Sequence, residues 1–221
     1  MLFRSDLPVS VSFEVQPEFR EFERLSTTVL NAYLMPIMGE YLQTLERGVE
    51  DAAPGAVLGI NQSSGGLMSP ARARHLPVRT ALSGPAAGAI GAAYAAKEVG
   101  RENVITLDMG GTSADVALVR EYRADITYDR DVAGFPIRLP CVDIETVGAG
   151  GGSIAWFERD GLLKVGPQSA GADPGPACYG KGGTAPTVTD ANLVLGRLSA
   201  RGLLDGTMAL DEAKARAAFE P

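Results

Sequence analysis

Residues 104–119 constrain this chain more than any other stretch. Val104-Ile105-Thr106-Leu107-Asp108 runs into Met109-Gly110-Gly111-Thr112-Ser113 and on into Ala114-Asp115-Val116-Ala117-Leu118-Val119. The pattern predicts strand, tight glycine turn, strand, with Asp108 closing the first strand and hydroxyls following the glycine pair. Adjacent glycines let the backbone come close to an anion and turn N–H groups toward it, and a carboxylate beside such a turn can hold a hydrated cation. The same pattern also describes a plain hairpin with solvated aspartates, because short motifs recur by chance. What surrounds the turn decides between the two.

At 221 residues the chain can bury a substantial core, as one large domain or two lobes. A net charge of −7 argues against a groove that tracks nucleic-acid phosphate, so any anionic ligand has to be held by local donors. The two cysteines, Cys141 and Cys178, have no second pair and no nearby histidine, which points away from a disulfide framework or a zinc site and fits a reduced cytoplasm. The uncharged run from Thr80 to Ala96 is too short and too rich in Gly and Ala to span a bilayer, so a soluble protein is expected.

From the N-terminus, Val9 to Val15 alternates apolar and polar residues and predicts a half-buried strand. Phe19, Phe22, Leu25, Val29, Tyr33 and Leu34 recur at helical spacing after Pro17 and mark one apolar face of a long helix. Pro36 predicts a kink or a second helix carrying Ile37, Tyr41, Leu42 and Leu45. Ala56 to Ile60 reads as a short buried strand, followed by a polar loop, Asn61 to Gly66, that is either a ligand lining or a connection. The only histidine, His75, stands among arginines with no telling neighbour and is assigned to the surface, which argues against a histidine-dependent triad.

Ser83-Gly84-Pro85 opens a helix of small residues that stops at Gly100. Gly88 and Gly91 each cost about 1 kcal/mol in a helix interior, which suggests close packing against another element or a moving lobe; an ordinary buried helix is the alternative. Tyr122 to Leu139 contains strand-like segments, and Cys141 to Val147 leads into a second glycine turn, Gly148-Ala149-Gly150-Gly151-Gly152-Ser153. Ile154 to Val165 reads as a β-hairpin around Asp160-Gly161. Gly150-x-Gly152-x-x-Ala155 therefore lacks the helix that a dinucleotide fingerprint requires. Gly175 to Gly182 imitates a P-loop but has glycine where the magnesium-binding hydroxyl belongs, and it lies between proline-rich loops. Helices are expected after Thr187-Val188-Thr189-Asp190 and from Leu210 to Phe219.

Taken in order, Ser83 to Gly88, Asp108 to Asp115, Gly148 to Ser153, and Gly166 to Gly180 with Pro186 to Asn192 closely resemble the hydantoinase A family, which includes N-methylhydantoinase A, 5-oxoprolinase and the acetone carboxylase β subunit. The resemblance implies an α/β fold of the actin, Hsp70 and sugar-kinase type, ribonuclease H-like, with a mixed sheet, helices and two lobes closing over ATP. Residues 1–80 would be the end of the first lobe and 81–221 the start of the second. It further implies ATP and Mg2+ as cofactors, with Gly110, Gly111, Thr112, Ser113, Gly150, Gly151, Gly152 and Ser153 around the nucleotide. Asp108 would be the metal anchor, with Asp108 and Asp115 as the catalytic carboxylates.

The implied activity is ATP-dependent opening of a cyclic amide, or a related carboxylation of a ketone, by phosphorylation of a substrate carbonyl. A hydantoinase B-like subunit would be the partner, with no nucleic acid or membrane involved, in the cytoplasm. The alternative is a non-catalytic ATP-binding reactivase or chaperone-like module of the same fold. Family members are longer and carry an earlier Asp-x-Gly-Gly-Thr turn and a later adenine loop, neither of which occurs here. The chain is therefore expected to be an incomplete two-lobe ATPase, a fragment or split product that binds MgATP weakly or not at all unaided.

Overall fold

Helices and short antiparallel strands alternate along the chain in a computed structural model that describes residues 7–132, 134–203 and 206–220. The chain divides into two compact units. The first holds the residues through Thr106 together with Ala117–Ile144, and the second holds Leu107–Val116 with everything from Glu145 onward.

In the first unit, α1 (Ser12–Val15) precedes the 32-residue α2 (Glu21–Ala52). The strand expected over 9–15 is instead this short helix. Val11 and Val15 are also four apart, so the alternation serves a helical turn equally well, and Val15 N–H donates to Val11 O at 3.1 Å. Nor does Pro36 break α2: it removes one hydrogen bond from the ladder, and the helix continues through it.

The side of α2 that packs inward is mixed: Leu42 is buried with partly buried Met38 and Leu45 against Met68 and Ala73, and Thr27 and Asn31 are buried as hydrogen-bonding groups. Asn31, fully buried, donates to His75 O at 3.1 Å and to Ser10 Oγ at 3.0 Å and accepts from Val78 N–H, while buried Thr27 accepts from Arg138 N–H at 3.0 Å. The periodic apolar face reads correctly as a face but stays open, with Phe22 70% and Tyr33 70% exposed.

The expected buried strand at 56–60 shrinks to β1 (Ile60–Asn61), which pairs antiparallel with β2 (Leu67–Met68), and Val57 is exposed. The loop joins these two paired strands. Gly65 adopts φ +83°, and Ser63 Oγ is within hydrogen-bonding distance of Arg79 O and Ala81 O at 2.8 and 2.6 Å. After α3 (Pro70–His75) and a 3-10 turn comes α4 (Ser83–Glu98). Leu82, not Ser83, precedes it as the cap residue, and Gly100 at φ +67° follows its end as expected. A Cβ added at Gly88 or Gly91 would meet nothing within 4 Å, so close packing of those glycines against another described element does not occur. His75 lies at the surface, with Nε2 2.9 Å from Glu14 Oε2.

Strands β3 (Val104–Met109) and β4 (Ala114–Arg120) pair with each other, and β4 also pairs with β5 (Arg123–Ala124) and β8 (Ile144–Val147). β6 (Ile126–Val132) and β7 (Phe135–Val142) form an antiparallel hairpin. Val15, Leu76, Val78, Ile137, Leu139 and Cys141 make one core cluster of this unit.

The second unit contains the tip of the β3–β4 hairpin and the predicted hairpin of β9 (Ser153–Phe157) and β10 (Leu163–Ser169), turned at Gly161 with φ +83°. It ends with α5 (Val188–Val194) and α6 (Glu212–Ala217), which bury Cys178, Leu193, Leu210 and Ala215 between them. The chain is a mixed α/β structure, and among the described residues no helix is long and apolar enough to cross a membrane.

Candidate phosphate-binding turn

The glycine turn closes on itself first: Gly110 N–H donates to Ser113 O at 2.9 Å. The second glycine loop then ties down the turn's carbonyls. Gly151 N–H donates to Gly110 O at 2.9 Å, Gly152 N–H to Gly111 O at 2.6 Å, and Gly150 N–H to Thr112 O at 3.2 Å. Ser153 Oγ, fully buried, accepts from Gly150 N–H at 2.9 Å and donates to Thr112 O at 3.2 Å. The carbonyls of Gly110 through Ser113 are thus all engaged inside the protein, whereas the N–H groups of Gly111, Thr112 and Ser113 donate to no described atom. A turn with its acceptors consumed and its donors left over is electropositive, which suits an anion.

Of the residues expected around a nucleotide, the structure therefore brings Gly110–Ser113 and Gly150–Ser153 together in one unit, but with unequal parts. The N–H groups of Gly110, Gly150, Gly151 and Gly152 are spent within the protein. The second loop braces the first.

A glycine is required where φ is positive, where a protein neighbour sits too close for a Cβ, or where something outside the protein must approach. Gly150 belongs to the second class, since its Cβ would stand 2.5 Å from Ser113 N. At Gly111 φ is not in the left-handed region and a Cβ would meet nothing within 4 Å, so no described protein atom requires a glycine there and the space over the turn is open.

Asp108 and Asp115 lie on the paired strands that flank the turn. Asp115 accepts from Thr146 Oγ1 at 2.6 Å and is partly engaged, whereas exposed Asp108 has no hydrogen bond or ion pair within the protein. Among the described residues no group of three or more His, Cys, Asp or Glu side chains could hold a metal ion. A lone free carboxylate beside unpaired amides nevertheless matches the way Mg2+ is usually held, through one or two carboxylates, waters and phosphate oxygens.

The brace is itself held from α5. Thr189, 8% exposed, donates from both N–H and Oγ1 to Gly151 O, each at 2.8 Å. Fully buried Asp190 accepts from Ala177 N–H at 3.2 Å, Cys178 N–H at 2.8 Å, Thr187 N–H at 3.1 Å and Thr187 Oγ1 at 2.7 Å. The segment that imitates a P-loop thus offers its amides to the protein's own carboxylate, and it forms a 3-10 turn, Ala177–Tyr179. Burial, with the Asp190 carboxylate beside it, pushes the Cys178 thiol up to about 12, so this sulfur is inert as a nucleophile at neutral pH. Thr189 and Asp190 were legible in the sequence only as the start of a helix; the Thr187-x-x-Asp190 spacing, which forms a capping box, is the signal that marks them.

The model of the hydantoinase/oxoprolinase family matches residues 24–221. The chain belongs to that family. Caprolactamase subunit alpha of Pseudomonas jessenii is 46% identical to this hydantoinase/oxoprolinase chain over 206 residues, covering 93% of it and 30% of the relative. The crystal structure of the ATP-dependent caprolactamase of that organism superposes with a TM-score of 0.78 at 42% identity, over 95% of this chain and 30% of the other. The 5-oxoprolinase of Saccharomyces cerevisiae is 43% identical over 194 residues, 86% of this chain and 14% of its own length. The nucleotide-free structure of an acetone carboxylase, described as acting in ATP-dependent acetone carboxylation, gives a TM-score of 0.77 at 32% identity, over 94% of this chain and 29% of that one. This member of the family thus spans under a third of the length of these relatives, and it shares their α/β fold over nearly all of its own length.

Proposed function

We propose that this chain supplies a phosphate-binding turn and a metal anchor to an ATP-dependent enzyme that opens cyclic amides. The observation that carries the reading is the pair of unpaired amides at Gly111 and Thr112, beside the unpartnered Asp108 carboxylate, in a turn whose carbonyls are all engaged. Support for the substrate class comes from the relatives named for caprolactam and 5-oxoproline.

When bound, ATP supplies a phosphoryl group that turns a poor carbonyl electrophile into one that water can open. The protein's part is to position and to neutralise charge. Gly111, Thr112 and Ser113 would take phosphate oxygens through their N–H groups. Asp108 would hold Mg2+ through water, since an ordinary aspartate is ionised at neutral pH and suits cation binding better than proton abstraction. Asp115, held by Thr146, would keep the hairpin tip in register. Gly150–Ser153 would keep the turn in shape without touching the nucleotide. A second subunit is proposed because the caprolactamase relative is itself named as a subunit.

One observation favours a second reading, an ATP-dependent carboxylase subunit acting on a ketone: the acetone carboxylase structure covers 94% of this chain at nearly the same TM-score. The test is ATP turnover by the complete enzyme with caprolactam, 5-oxoproline, a hydantoin or acetone. Stimulated ADP release with a cyclic amide supports the first reading and stimulation by acetone alone the second. Absence of stimulation by all of them contradicts both. In the same assay Asp108→Asn should abolish metal-dependent turnover without unfolding the protein.

A further inference from the structure

The unpaired amides at the turn are the ends of hydrogen-bonded peptide chains. The peptide joining Gly151 to Gly152 accepts at its oxygen from the Thr189 N–H and Oγ1, each at 2.8 Å, and donates from its Gly152 N–H to Gly111 O at 2.6 Å. The peptide that carries Gly111 O also carries the Thr112 N–H. Hydroxyl, peptide, peptide and unpaired N–H therefore stand in series.

A separate series reaches Gly111: Ser153 N–H donates to Gly150 O at 3.0 Å, and Gly151 N–H, on that same peptide, donates to Gly110 O at 2.9 Å. A peptide that accepts at its oxygen becomes a stronger donor at its nitrogen, by roughly 10–30% per bond. The Thr189 N–H already tethers α5 to the Gly151 carbonyl. The hydroxyl adds a second bond to the same oxygen, which the tether does not require.

We infer that Thr189 is a positioning residue for the turn, whose hydroxyl strengthens and aims the Thr112 N–H toward a phosphate-type oxyanion through the 151–152 and 111–112 peptides. It rests on the phosphate-seat reading above and deepens it. The residue touches no ligand, so its effect is on oxyanion affinity and not on a bond-making step.

The test uses the 15N-labelled chain as wild type, Thr189→Val, which keeps the N–H tether and removes the hydroxyl, and Thr189→Ser, which restores it. In the ligand-free protein the Thr112 amide proton should move upfield in the valine variant and return in the serine variant. The Gly111 amide, fed by the other series, should stay in place. Titration with magnesium tripolyphosphate should then show a weakening of no more than about twofold for valine, because each step of the relay changes a bond by roughly 10–30%, and recovery for serine. An unmoved Thr112 resonance in Thr189→Val, with the wild-type titration intact, overturns the relay alone. A wild-type chain that binds tripolyphosphate, with shifts elsewhere but none at Gly111 or Thr112, overturns the phosphate seat, and the inference with it. Should valine unfold the chain, Thr189→Ala makes the same comparison without a second methyl near Gly151.

Discussion

At Gly150 an added Cβ would stand 2.5 Å from Ser113 N, while at Gly111 it would meet nothing within 4 Å. Both residues belong to glycine-rich turns of similar composition in the same unit, and the structure uses them in opposite ways. The loop at 148–153 needs its glycines so that its amides can reach the carbonyls of 110–112. The turn at 110–113 has those carbonyls satisfied and keeps the amides of Gly111 and Thr112 unpaired at an exposed tip. Counting glycines therefore does not find a ligand site. What separates the two loops is which amides are left after every internal acceptor has been served.

The comparison extends to the carboxylates. Asp190 is fully buried and accepts from Ala177, Cys178 and Thr187, so its job is internal. Asp108 is exposed and unpartnered, so its job is not accounted for by the fold. The largest expected effect follows from the first of these. Asp190→Ala removes the acceptor of several buried N–H groups at about 1–3 kcal/mol each, so urea denaturation should show a loss of at least about 3 kcal/mol. A smaller loss would mean that water replaces the carboxylate and that the brace is not anchored there.

Next in size, Gly150→Ala should cost about 1–3 kcal/mol, because the turn has to shift to admit the methyl. Gly111→Ala should stay within about 0.5 kcal/mol of wild type in the same denaturation experiment yet abolish phosphate binding. Equal destabilisation by the two substitutions would erase the distinction between brace and seat. Asp108→Asn should likewise leave stability within about 0.5 kcal/mol while removing the Mg2+ dependence of phosphate binding, read by titration with and without the metal.

The smallest effect concerns Cys178. Its thiol is held protonated up to about 12 in the folded chain, against an ordinary value of 9.0. The unfolded chain therefore loses its proton first as pH rises. Stability from this group is intact below pH 9 and falls progressively between about 9 and 12. Cys178→Ser should flatten that decline, and at pH 8 the wild-type thiol should resist a disulfide reagent until the chain unfolds.

Much of the geometry around the glycine turn was legible from residues alone because it is local. The strand, glycine turn and strand of 104–120, the hairpin around Asp160-Gly161 and the helix ending before Gly100 each follow from short-range backbone chemistry. The lacing of 150–152 onto 110–112 pairs residues about 40 apart through main-chain groups, which leave no mark in side-chain pattern. For the same reason the sequence does not reveal that the amides of Gly110 and Gly150–Gly152 are bonded to internal carbonyls. Elsewhere the pattern was real but its consequence was not: the apolar stripe of α2 stays largely exposed, while Asn31 and Thr27, together with Leu42, are the residues the helix buries.

The most direct measurement is an amide-resolved titration of the 15N-labelled chain with MgATP taken into the millimolar range. The account predicts that the resonances of Gly111, Thr112 and Ser113 shift together and that those of Gly150, Gly151 and Gly152 shift little, since their protons remain on internal carbonyls. Shifts centred on Gly150–Gly152, or shifts elsewhere in the chain that leave Gly111 and Thr112 in place, would contradict it.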